Sequence, residues 1–300
     1  TYSNYISKYI ESYKEYNINI YGITVQNEPY ACPVFYEGMH FDPKSEGEFI
    51  EKYLGPILND THPEVKIYIY DQNKGGMIKW VNDIIVNNPN AAQYITGTAV
   101  HWYDGDHFDA LNESHYLAPT FEILATESTE SYDKNEVSNP SWTKGEHYAH
   151  DIIGDFNNYV TGFIDWNLIL DLEGGPDHAC PNDAESHIPY IYCGSDSMLI
   201  IDDINNIIYP QIFYYYVGHL SRFISYGDIR IGFNVNNISA HGSGIEMTSF
   251  YSNKFNKTTV IIMNPTNQSW TYKIKDSRDI YQNMAINSSV KPHSIYTIIY

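Results

Sequence analysis

Basic residues are scarce in this chain. Lys and Arg number 17 against 37 Asp and Glu over 300 residues, a formal net charge of −20. A protein that grips nucleic acid needs a basic face for the phosphates, so no nucleic-acid partner is expected. An acidic surface suits an acidic compartment instead, where part of the carboxylates are protonated and self-repulsion falls. Cysteine is also rare. Cys32, Cys180 and Cys193 are too few for a disulfide scaffold, although Cys180 and Cys193 flank a short loop and could pair in an oxidising compartment. None has a local base or electropositive setting that would make a reactive thiolate. No apolar run approaches the roughly 20 residues of a membrane span, so no transmembrane segment is expected. The histidines are scattered without metal-ligand spacing, and no Gly-rich phosphate turn follows a strand. Neither a metal nor another cofactor is expected.

Apolar content is 43%, which places the chain among globular proteins with a sizeable core. Six Asn-x-Ser/Thr sequons, at Asn59, Asn112, Asn237, Asn256, Asn267 and Asn287, point to a secretory route and a glycoprotein. The residues from Thr1 onward do not themselves read as a signal peptide.

Up to about residue 226, strands and helices alternate. Tyr2, Tyr5, Ile6, Tyr9, Ile10 and Tyr13 recur at helical spacing and predict a helix over 2–16. Apolar strands follow at Ile20–Val25, Val65–Tyr70, Ile95–Val100, Phe121–Ala125 and Gly162–Ile164. Helices are predicted between them. One starts at Asp42-Pro43 and runs to about Leu54; others cover 77–87, Phe108–Leu117 and Trp142–Tyr159, and a last one covers 209–224. Each strand ends in polar or aromatic residues: Asn27-Glu28-Pro29, Asp71, His101-Trp102-Tyr103, Glu127 and Asp165-Trp166-Asn167. Such a run of β/α units with its chemistry at the strand ends predicts an α/β fold, a (β/α)8 TIM barrel whose site is at the C-terminal face. An excursion over about 168–206 is long enough to carry its own small sheet. Beyond about 227, short strands at Ile229–Val235, Ile245–Tyr251, Thr259–Met263, Trp270–Ile274 and Ser294–Tyr300 predict an incomplete β-sandwich domain.

Glu28 and Glu127 each end a strongly apolar strand, with two strand-and-helix units between them. Two carboxyl groups facing one another across a barrel mouth are what glycoside hydrolysis needs. One protonates the leaving oxygen and the other attacks the anomeric carbon, at roughly 5–5.5 Å apart in a retaining enzyme. His150, on a helix before the last strand, reads as a hydrogen-bonded structural histidine.

The motifs together resemble a known family. Asn27-Glu28-Pro29 is similar to the Asn-Glu-Pro of the large barrel clan of retaining glycosidases. His101-Trp102-Tyr103, Asp165-Trp166-Asn167, Glu173-Gly174-Gly175-Pro176, Leu54-Gly55-Pro56, Asp71-Gln72 and Gly218-His219-Leu220-Ser221 match glycoside hydrolase family 30 in order and spacing, in its acid β-glucosidase (glucosylceramidase) branch. The resemblance implies Glu28 as acid/base and Glu127 as nucleophile. It implies Asn27 on the sugar 2-hydroxyl, Tyr103 on the catalytic glutamates, Trp102 and Trp166 as pocket walls, and Asp71 and His101 as orienting groups. It further implies glucosylceramide or a related β-glucoside as substrate, a saposin-type activator and an anionic lipid surface as partners, and a lysosomal or secreted location. Alternatives within the family are a β-xylosidase or β-1,6-glucanase; a further one is an inactive truncated fragment. The chain departs from the pattern at Ser128-Thr129 after the nucleophile and in the loop at Asp177–Tyr192, where Asn182 is a weak candidate for the family's sugar-binding Asn. By the same resemblance the five strands are the fourth to eighth of the barrel, so the first three are expected to precede Thr1.

Overall fold

A computed structural model describes residues 1–31, 38–175, 194–235, 244–278 and 285–300. Cys32, Cys180, Cys193, Asn182 and Asn237 lie outside the described residues. The chain forms two compact units, one mainly of Thr1–Thr129 and Asn158–Trp166, the other mainly of Glu130–Asn157 and Ser195–Tyr300.

The first unit holds a five-stranded parallel sheet in the order β1 (Gly22–Thr24), β2 (Lys66–Asn73), β3 (Gly97–His101), β4 (Glu122–Glu127), β5 (Val160–Phe163). All five coincide with the predicted strands to within a few residues. Ile67 to Tyr70 of β2 and the whole of β3 are buried, as expected for parallel strands covered on both faces. A Cβ at Gly97 would lie 2.1 Å from the Glu122 carbonyl oxygen, so only glycine lets β3 and β4 approach at this point.

Helices α1 (Tyr2–Glu15), α2 (Pro43–Phe49), α3 (Gly55–Thr61), α4 (Met77–Asn87) and α5 (Phe108–Leu117) belong to this unit. In α1 the buried positions Ser3, Ile6 and Ile10 repeat at helical spacing, while Tyr5, Tyr9 and Tyr13 stay exposed. Asp42 caps α2 through the Ser45 N–H at 2.7 Å, with Pro43 in the first turn. The expected end at Leu54 is instead a π-helical turn, Ile50–Leu54, that leads straight into α3. Pro56 has no N–H for the regular ladder. The Gly55 N–H reaches Ile50 O, one residue further back than in an α-helix, and the helix continues past the proline.

The second unit contains α6 (Trp142–Asn157) and α7 (Ile212–Ser221), together with three small sheets. After β5 a small three-stranded sheet, β6 (Ile169–Asp171), β7 (Leu199–Asp202) and β8 (Ile207–Pro210), forms around Val137, Leu170 and Ile200. Beyond it, β9 (Ile229–Arg230), β10 (Glu246–Ser252), β11 (Lys257–Asn264) and β14 (Ser294–Ile299) form a four-stranded antiparallel sheet. The ribbon β12 (Trp270–Ile274) and β13 (Ile286–Val290) covers one of its faces. Val260, Ile262 and Val290 are buried between the two layers with Met247, Trp270 and Tyr296 around them, which is the core of a β-sandwich.

Candidate active site

The site lies at the C-terminal ends of β1 to β5, where the parallel barrel strands present their last residues. Glu28 follows β1 and has φ 45°, and its N–H donates to Asp71 O at 2.9 Å, tying the first strand's exit to the second's. Asp71 sits in a distortion of β2. Tyr70 and Asp71 have φ 80° and 50°, and the register with β3 shifts between Tyr70 and Gln72. Left-handed backbone costs a non-glycine residue about 1–3 kcal/mol and clusters at functional sites. Here the consequence is visible: the Asp71 carboxylate turns towards His101.

His101, the last residue of β3, is buried at 1% exposure. Its Nε2 faces Asp71 Oδ1 at 3.1 Å and its Nδ1 faces Glu28 Oε1 at 3.3 Å, with Glu127 Oε1 at 3.8 Å. Burial pushes the imidazole pKa down, but the bonds to Asp71 and Glu28 outweigh it and hold the pKa at about 9. The ring therefore donates from both nitrogens across the neutral range. Asp71 is fixed in turn by hydroxyls: Thr24 donates to its Oδ2 at 2.5 Å and Thr126 to its Oδ1 at 2.7 Å.

Glu127 closes β4, and Tyr103 Oη donates to its Oε1 at 3.1 Å. One carboxylate oxygen each of Glu28 and Glu127 and a His101 nitrogen all lie within 4.8 Å of one another. Burial raises the Glu127 pKa above the usual carboxylate range; the nearby His101 charge opposes this and the Glu28 charge adds to it. Burial of its hydroxyl end and the Glu127 charge push the Tyr103 phenol well above its usual range, so it stays a donor. The Tyr103 backbone N–H is anchored on Asn73 Oδ1 at 3.1 Å.

The other predicted residues fall around this centre. Asn27 is exposed beside Glu28. Trp102 is 5% exposed with its ring 6.5 Å from that of Tyr103, whereas Trp166 stands out at 53% exposure, its backbone N–H donating to Ser128 O at 3.0 Å. Thr24, Thr126 and Asn73 had no signal of their own in the sequence, since a strand-end hydroxyl or amide is common. His150 is not part of the site: it pairs with Glu246 of β10 at 2.8 Å.

Three donor atoms within 4.8 Å would suit a cation. Both His101 nitrogens already face carboxylates, Nε2 at Asp71 and Nδ1 at Glu28, so a metal ion would have to displace one of these contacts.

Comparison with known proteins fits this geometry. Residues 1–224 match the sequence profile described as the glycosyl hydrolase family 30 TIM-barrel domain. The whole chain is 32% identical to putative glucosylceramidase 4 of Caenorhabditis elegans and 28% identical to lysosomal acid glucosylceramidase of Mus musculus, in each case across 56% of the relative's length. Over 87% of the chain it is 25% identical to endo-1,6-beta-D-glucanase neg1 of Aspergillus fumigatus, across 49% of that protein. The chain thus spans about half the length of the curated relatives it matches. Among solved structures, SrfJ from Salmonella typhimurium superposes with a TM-score of 0.85 at 25% identity, over 99% of this chain and 61% of that one.

Proposed function

This chain belongs to glycoside hydrolase family 30, and from that membership we propose that it carries the centre of a retaining β-glucosidase, with Glu28 as general acid/base and Glu127 as nucleophile. The observation that carries the reading is the approach of the two carboxylates to within 4.8 Å at the ends of parallel strands. That separation favours a retaining mechanism; an inverting pair stands roughly 6.5–9.5 Å apart to admit a water. Residues 1–226 are then part of the catalytic barrel and 227–300 part of the accompanying sandwich.

In the first step Glu127 attacks the anomeric carbon while the Glu28 proton passes to the glycosidic oxygen, which leaves as an alcohol. A covalent glycosyl-Glu127 remains. In the second step the Glu28 carboxylate takes a proton from water as that water attacks the anomeric carbon. Free sugar leaves, Glu127 is again a carboxylate and Glu28 again an acid. His101 and Tyr103 donate to the two carboxyl groups and fix their approach, and Asp71 holds His101. Asn27 takes the 2-hydroxyl, and Trp102 and Trp166 wall the sugar.

The substrate proposed is glucosylceramide, cleaved to glucose and ceramide in a lysosomal or secreted setting. An anionic lipid surface and a saposin-type activator are proposed as partners on the family resemblance alone. This rests on full-chain similarity to proteins named glucosylceramidase. The 25% identity to an endo-1,6-beta-D-glucanase supports β-1,6-glucan as the second reading. The test offers the purified protein glucosylceramide in anionic-lipid micelles, β-1,6-glucan and an aryl β-xyloside at acidic pH. Release of ceramide with initial formation of the β-anomer of glucose is expected. Glucan cleavage alone would replace the substrate, and initial α-glucose would overturn the retaining mechanism.

A further inference from the structure

Glu46 is fully buried, yet the hydrolytic steps make no use of it. It lies in the first turn of α2. Its Oε2 accepts the Trp80 indole N–H at 2.5 Å, and its Oε1 accepts the Tyr70 backbone N–H at 3.4 Å. A buried carboxyl group is expensive unless its oxygens are satisfied, so a carboxyl at this position requires both donors.

The second donor is the informative one. Tyr70 is the first of the two left-handed residues that distort β2, and Asp71 is the second. Such backbone persists only where the surroundings hold it. Asp71 then serves the site twice. Its carboxylate orients His101 at 3.1 Å, and its carbonyl accepts the Glu28 N–H at 2.9 Å. A relaxed bulge would displace both contacts together.

We propose that Glu46 is a positioning residue of the hydrolytic centre: it holds the Tyr70–Asp71 bulge from the helix layer and, through Asp71, sets the placement of His101 and Glu28. Burial lifts the Glu46 pKa to about 8, so at acidic and neutral pH it is an uncharged acid whose two oxygens still accept N–H bonds. Its influence there is geometric rather than electrostatic. The catalytic part of the inference rests on the glycosidase reading; the effect on His101 does not.

The test is Glu46→Gln. Glutamine keeps one accepting oxygen but turns an NH2 group towards the other N–H donor. At acidic pH, kcat on an aryl β-glucoside should fall about 10- to 100-fold with KM within about threefold, the signature of lost alignment rather than lost binding. Nitrogen-15 NMR of His101, which faces Asp71, Glu28, Glu127 and Tyr103, should show its pKa lowered by about one unit or more. Trp80→Phe, which removes one donor and leaves the Tyr70 bond, should move both readouts the same way by less, and it carries the test if Glu46→Gln fails to fold. Ile84→Ala, a buried change on the helix that carries Trp80, should lower stability without moving His101. The proposal is overturned if the folded variants keep wild-type kcat and His101 titration, or if Ile84→Ala shifts His101 as much. A wild type without glycosidase activity but with the His101 shift would sink only the hydrolytic reading.

Discussion

Raising the pH should destabilise this protein through two buried groups, His101 and Glu46. His101 has an ordinary pKa of 6.5 and is held at about 9 in the fold. A folded pKa above the unfolded one means that the stabilisation is complete below about pH 6.5 and is lost as pH rises through about 9. At about 1.36 kcal/mol per unit, the loss is about 3 kcal/mol. Glu46, raised by burial from 4.5 to about 8, has the same sign: the native state keeps a proton that the unfolded chain releases. Its share, about 5 kcal/mol, is lost between about pH 4.5 and 8. The assay is urea unfolding followed by tryptophan fluorescence across that range. Relative to wild type, His101→Gln should flatten the decline between about pH 6.5 and 9, and Glu46→Gln the decline between about pH 4.5 and 8 together with, through the lowered His101 pKa, part of the later one. Wild-type stability that is level from acid to alkali, or variants that keep the wild-type slope, would refute the reasoning.

Two further substitutions probe the carboxylates separately. Glu28→Ala should slow cleavage of poor leaving groups far more than of activated aryl glucosides, which depart without a proton, and azide should restore rate by attacking the intermediate without a base; equal losses without azide rescue would remove Glu28 from the acid/base role. Tyr103→Phe deletes a donor to the Glu127 carboxylate and so raises its pKa further. Because the nucleophile acts ionised, the acidic limb of kcat/KM should move to higher pH by about one unit; an unmoved or lowered limb would contradict the bond.

The barrel strands were legible in the sequence because each is a short apolar run stopped by a polar or aromatic residue, and those stops line the candidate site. Glu28, Asp71, His101, Tyr103 and Glu127 stand at predicted strand ends, their roles were suggested by the family resemblance, and in the fold their polar atoms come together. What the sequence concealed depends on backbone geometry. The bulge that aims Asp71 carries no glycine or proline signal, since Tyr70 and Asp71 are held left-handed by their surroundings. Glu46 reads as an ordinary exposed helix glutamate until α2 turns it inward against Trp80. The merger of two helices through a π-turn was hidden because Pro56 reads as a stop unless Gly55 can reach back to Ile50. Strand β13 was missed because Asn287, Ser288 and Ser289 are polar and exposed, and only Val290 reaches the sandwich core.

The central claim is that Glu127 attacks sugar within reach of Glu28. Treating the protein with a 2-deoxy-2-fluoro-β-glucosyl fluoride, then digesting it and mapping the labelled peptide by mass spectrometry, tests this directly. The fluorine slows breakdown of the glycosyl-enzyme, so a single fluoroglucosyl adduct should accumulate on the peptide containing Glu127, and Glu127→Gln should abolish it. An adduct on another residue, or one that persists in Glu127→Gln, would contradict the account.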